Sequence, residues 1–147
     1  MRLFLDTSVL FSGILSATGG ARLILKMGRV DQLELIISTR VLNEIIEVLH
    51  RKLPEAIDEV RLLLDTANIQ VVSDAPPNMV ELINQHVNYL ADAQVIAAAQ
   101  VNQVDYFVTL DKRHFLKNQQ LQSAVIFPIG TPGDFLAWYR QKQVIDD

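Results

Sequence analysis

The chain contains no cysteine. That absence excludes a disulfide scaffold, a cysteine-based zinc site and a cysteine nucleophile, and it suits a reducing, cytoplasmic compartment. No apolar run approaches the roughly 18 residues needed to span a bilayer, so no membrane partner is expected. Asp6 interrupts the apolar start Leu3-Phe4-Leu5 too early for a signal peptide. Positive charge is also scarce: 13 Lys+Arg stand against 17 Asp+Glu, a formal net charge of −4. This excludes a protein that coats nucleic acid by bulk charge. It does not exclude a nucleic-acid enzyme, because metal ions neutralise charge locally. Several catalytic signatures are missing too. There is no GxGxxG, no Walker loop and no GxSxG elbow. His50, His86 and His114 lack ligand spacing, and each reads as an ordinary surface or boundary residue.

What remains is a chain of 147 residues, half of them apolar and 20% charged, with a mean hydropathy of +0.20. That is too apolar for a disordered chain and long enough for one core. The expectation is a single domain over residues 1–147 with a loose tail after about residue 140. Short apolar runs at Leu3–Leu5, Leu33–Ile37, Ile69–Val72, Tyr106–Thr109 and Ala124–Phe127 read as strands. They show no clear alternation, the pattern of strands buried on both faces. Helical segments separate them. Thr7 or Ser8 is placed to cap the first helix, and Gly28 to stop the second. Ser38 or Thr39 starts a long helix reaching about Leu53. Helices are also expected over Glu55–Ala67, after Pro77, from Asp92 to about Val101, and from Pro132. Asp111 to Phe115 reads as a loop or short turn. The architecture predicted is α/β: a three-layer α/β/α sandwich around a mostly parallel sheet of about five short strands.

The placement of carboxylates is informative. Asp6 ends the first strand, and Asp111 lies just past the end of the fourth. In open parallel sheets, sites form outside the carboxyl ends of strands. Asp92 sits at a helix start, where the helix dipole favours an anion. At roughly 100° per residue, Val41, Leu42, Ile45, Ile46, Val48 and Leu49 make one broad apolar arc, and Glu44 lies on its border. These four acids are candidates to converge, although each has a plain structural role available as a cap, turn or solvated residue. Clustered carboxylates repel one another, and a divalent cation removes the conflict. All-oxygen ligands suit Mg²⁺ or Mn²⁺, and such sites commonly handle phosphate esters. Asp105 begins a strand, the wrong end for this site, and reads as a turn residue.

The pieces Leu3-Phe4-Leu5-Asp6-Thr7-Ser8-Val9, Ser38 to Glu44 (STRVLNE), Asp92 to Ala99 (DAQVIAAA) and Val108-Thr109-Leu110-Asp111 with Phe115, in this order, resemble a PIN domain. The segment Gly19 to Arg51 resembles the toxin-component subgroup of that family. The resemblance implies an α/β/α fold and metal-binding, catalytic carboxylates at Asp6, Glu44, Asp92 and Asp111. It implies supporting roles for Thr7, Ser8 and Thr109. The implied reaction is hydrolysis of RNA phosphodiesters, within the strand, by metal-activated water, with Mg²⁺ or Mn²⁺ as cofactor. The subgroup further implies a small antitoxin partner and a homodimer. Apolar residues between Ala56 and Leu64 exceed what one helix face needs, and they are candidates for such a contact. Arg40, Lys112, Arg113 and Lys117 flank the site and are candidates for substrate phosphates. There is one departure. Many relatives carry another acid a few residues before the third carboxylate, where this chain has Tyr89 and Leu90.

Two rival readings remain. A haloacid-dehalogenase-type phosphatase also begins with an apolar strand and Asp, but it needs a second Asp where Ser8 stands. A catalytically silent PIN-like module would bind RNA or protein without cleaving.

Overall fold

The computed structural model describes residues 1–146. Five parallel strands form one sheet in the order β3-β2-β1-β4-β5. They are β1 (Arg2–Leu5), β2 (Glu34–Ser38), β3 (Gln70–Val72), β4 (Tyr106–Val108) and β5 (Ile129–Gly130). The central strand β1 pairs Leu3 with Leu35 on one side and with Tyr106 on the other. Leu3, Phe4 and Leu5 are fully buried, as are Leu35, Ile36 and Ile37. Strands apolar on both faces need cover on both, which eight α-helices among the described residues provide in the three-layer arrangement. These are α1 (Thr7–Leu15), α2 (Gly20–Arg29), α3 (Thr39–Lys52), α4 (Ile57–Thr66), α5 (Pro77–Val87), α6 (Leu90–Val101), α7 (Gln119–Ala124) and α8 (Pro132–Asp146). Phe4 stacks on Phe107 across β1 and β4, with ring centroids 5.3 Å apart.

The strand order creates a crevice. From β1 the chain lays β2 and β3 on one side, then crosses to lay β4 and β5 on the other. The carboxyl ends of β1 and β4 therefore flank the topological switch point, where open α/β sheets place their ligands. Among the described residues, no single helix is long and apolar enough to cross a membrane. The apolar pair α1 and α2 is bent by 92° and buries Val9, Leu10, Ile24 and Leu25 in the core.

Two local expectations are corrected, the place of the fifth strand and the N-cap of α1. The fifth strand is not Ala124–Phe127. Val125 and Phe127 are buried by packing, but pairing with β4 begins only where Phe107 N–H donates to the Pro128 carbonyl at 3.0 Å. Apolar burial alone does not make a strand, and the ladder is joined at β5. As expected, α2 stops near Gly28, one residue on at Arg29, and Gly28 itself is closely packed. A Cβ there would collide with the Leu35 side chain and sit 2.7 Å from the Ala67 carbonyl oxygen. The N-cap of α1 is Asp6, ahead of Thr7 and Ser8. The last helix, α8, continues to Asp146. Asp147 lies outside the described residues. The Ser38 cap of α3 stands as expected: its buried hydroxyl accepts from Val41 N–H at 3.3 Å.

Candidate active site

Asp6 follows β1 directly, and its main chain is pinned to β4, with its N–H donating to the Val108 carbonyl at 3.0 Å. Its side chain does not cap α1. Instead the buried Thr109 hydroxyl donates to Asp6 Oδ2 at 2.8 Å, and the Ser8 hydroxyl approaches the same oxygen at 3.4 Å. Only 8% of Asp6 is exposed. Burial raises its pKa from 3.8 to about 6, opposed by the Thr109 hydrogen bond and assisted by the negative charges of Glu44 and Asp111.

Thr109 also serves Asp111. Its hydroxyl oxygen accepts from Asp111 N–H at 3.0 Å. Ser8 plays a parallel part, accepting from Leu110 N–H at 3.0 Å. The two hydroxyls therefore stitch the chain after β1 to the chain after β4. Glu44 arrives from α3 on the border of its apolar arc, as helical arithmetic places it. Its Oε2 accepts from the Thr7 hydroxyl at 2.8 Å, and Arg40 Nε lies 3.4 Å from Oε1. Arg40 is thus paired with a site acid. Lys112 and Arg113 are exposed beside Asp111 and form no ion pair among the described residues.

Asp92 lies in the first turn of α6, two residues inside its first residue Leu90, where the dipole favours an anion. His114 Nδ1 comes to 2.6 Å from Asp92 Oδ2. The ring does not aim an N–H squarely at this buried oxygen, which has no other donor in the protein. Burial raises the pKa of Asp92, the facing His114 imidazole opposes that, and Asp111 and Glu44 add to the rise. The four acids are therefore neighbours electrostatically. Among the described residues, however, no three Asp, Glu or His side chains stand close enough to hold a metal ion as arranged here.

The donor set fits a hard divalent cation in kind. All four groups offer oxygen, Asp6 is buried against repulsion, and Asp92 Oδ2 has no donor besides His114. Asp105 is elsewhere, accepting from Arg2 N–H at 2.7 Å at the opposite end of β1. His50 is exposed, as expected. His114 is a boundary residue, as expected, but with a specific neighbour: its imidazole is three-quarters buried against Asp92, and Tyr89 packs edge-on against it at 4.8 Å. The only local signal was its spacing from Asp111, which says nothing of Asp92. His114 lies three residues after Asp111, within reach of one turn.

A separate cavity of about 370 Å³ opens between α2 and α4, lined by Ile14, Arg22, Lys26, Arg29, Leu62 and Leu63 among others, and by none of the four acids.

The model of the PIN domain family matches residues 3–119. No curated protein matches the chain by sequence. Among solved structures, VapBC2 from Rickettsia felis, bound to a promoter DNA fragment, has a TM-score of 0.64 at 13% identity. That likeness covers 88% of this chain and 98% of the other. A toxin–antitoxin complex from Klebsiella pneumoniae has a TM-score of 0.62 at 18% identity, covering 90% and 98%. VapC20 from Mycobacterium tuberculosis, a sarcin–ricin loop cleaving toxin, has a TM-score of 0.54 at 16% identity, covering 78% and 94%.

Proposed function

The chain belongs to the PIN domain family, and from that premise we propose that it is a ribonuclease dependent on Mg²⁺ or Mn²⁺, cutting within RNA strands at Asp6, Glu44, Asp92 and Asp111. Proteins of this family are generally nucleases and generally use divalent metals. One observation carries the reading. Asp6 is a buried carboxyl at the switch point of the sheet, and its pKa is raised to about 6 by burial, with Glu44 and Asp111 adding to the rise. A merely structural acid has no reason to be kept there beside others of its kind.

Asp6, Asp92 and Asp111 are the groups that would hold the ion directly, with Glu44 doing so directly or through water. When bound, the ion activates water and screens charge on the phosphate. The chain's own residues do the rest. Thr109 and Ser8 orient Asp6, and Thr7 orients Glu44. Lys112 and Arg113 are exposed next to Asp111 and free to meet phosphates. Arg40 restrains Glu44 instead. No protein nucleophile is required.

We extend the reading to a toxin with a small antitoxin partner and a homodimeric state. Its support in this molecule is the α2–α4 cavity. Leu62, at its edge, is 64% exposed, and Arg22, Lys26 and Arg29 line one side. The cytoplasm is the proposed compartment. The test compares wild type with Asp6→Asn and Asp92→Asn on single-stranded RNA, with Mn²⁺ and with chelator. Wild type is expected to cleave only with metal, and the variants to lose at least two orders of magnitude of rate, the scale of losing a catalytic electrostatic contact. Equal cleavage by all three proteins would sink the assigned site. Absence of cleavage with Mn²⁺ affinity that ignores Asp6 would favour the silent binding module.

A further inference from the structure

Asp111 is followed by a wide turn over Lys112–Leu116, in which the Asp111 carbonyl accepts from both Phe115 N–H and Leu116 N–H at 3.3 and 3.1 Å. Such π-type turns recur at functional sites. Here the turn swings His114 back over the acids. Its main-chain N–H donates to Asp111 Oδ1 at 3.0 Å. Its imidazole faces Asp92 across two elements, with Nδ1 2.6 Å from Oδ2. One residue therefore touches two of the four carboxylates, one through its backbone and one through its side chain. Tyr89, one residue before α6, packs its ring edge-on against the imidazole with an interplanar angle of 73°. It blocks the ring on a further side.

A cap on this turn needs only the N–H of residue 114, which nearly any amino acid supplies. The side-chain contact is additional to it. Asp92 Oδ2 has no other donor in the protein, so without the imidazole its carboxylate loses its nearest oriented neighbour.

We propose that His114 is a positioning residue of the carboxylate centre, with its imidazole setting Asp92 and its main chain setting Asp111 for a shared cation. Tyr89 fixes the ring in that pose. The inference rests on the acids forming a cation site, and it adds the residue that organises two of them. Groups next to the ion's direct ligands typically contribute 10- to 100-fold to metal affinity.

The test measures Mn²⁺ binding to the full chain by the magnetic resonance signal of free Mn²⁺. Melting temperature in chelator is recorded for every variant. His114→Ala is expected to weaken Mn²⁺ binding about 10- to 100-fold. His114→Asn is expected to recover most of that loss, because its amide nitrogen sits near the position of Nδ1. A His114→Ala protein that binds Mn²⁺ like wild type overturns the inference and leaves the cation site standing. An Asn variant as weak as Ala, at unchanged melting temperature, overturns it as well. If wild type and Asp6→Asn bind Mn²⁺ alike, the cation site itself fails, and the inference falls with it.

Discussion

Asp6 is held under electrostatic tension by burial. The unfolded chain titrates this carboxyl near 3.8, and the folded chain holds the proton to about 6. Between those values the folded state binds more protons than the unfolded one, so stability falls as pH rises through that window. Two units correspond to about 3 kcal/mol as an upper bound. In chelator at pH 7, Asp6→Asn is therefore expected to melt higher than wild type, by the equivalent of about 1–3 kcal/mol. The advantage should vanish below about pH 4, where wild type is protonated in both states. Denaturant melts at the two pH values check this. The variant that abolishes cleavage should thus be the more stable protein, as expected where a site is kept under strain for function. Asp6, Glu44, Asp92 and Asp111 were all legible as candidates, because strand ends, helix starts and arc borders follow from local pattern. His114 was not, because its role depends on a contact with Asp92, 22 positions earlier in the chain.

Elements show where local pattern stops being sufficient. Gly28 marks the neighbourhood of a helix stop, and α2 does end one residue beyond it, but its own role is not that of a terminator. In the fold it is a close-approach site between α2, β2 and the end of α4, a demand set by neighbours distant in sequence. Gly28→Ala gains about 1 kcal/mol of intrinsic helix propensity. It must also displace the Leu35 side chain and meet the Ala67 carbonyl oxygen at 2.7 Å, which is backbone and cannot swing away. A net loss of about 1–3 kcal/mol is expected, read as a lower midpoint in urea. A midpoint at or above wild type would show that α2 shifts freely against β2. The fifth strand was misplaced for a related reason. Val125 and Phe127 are apolar and buried like strand residues, yet they pack without entering the ladder. At Gly130, where the ladder runs, a Cβ would collide with the Tyr106 hydroxyl.

At the scale of the whole molecule, the charge balance takes a different meaning. Without Asp6, Glu44, Asp92 and Asp111, the acids number 13, equal to Lys+Arg. The net −4 has the size of one cluster rather than of an acidic coat, which removes an objection to an RNA substrate. A second region, the α2–α4 cavity, presents apolar and cationic residues together. If that face joins two copies, sedimentation at tens of micromolar should show a dimer, and Leu62→Glu should shift it to monomer. A monomeric wild type at that concentration would count against the homodimer.

The sequence by itself determined the class of fold, the parallel sheet and the four candidate acids. Each of these comes from patterns a few residues long: uninterrupted apolar strands, an Asp at a strand end, a Glu at the border of a helical arc. Only the tertiary structure decided how the pieces meet. It showed that the strand order reverses beside β1, that Thr109 binds Asp6 and Asp111 together, and that His114 faces Asp92. These depend on contacts between residues up to 103 positions apart. Local propensity carries no trace of such contacts, because side-chain packing and strand pairing select them only when the whole chain folds.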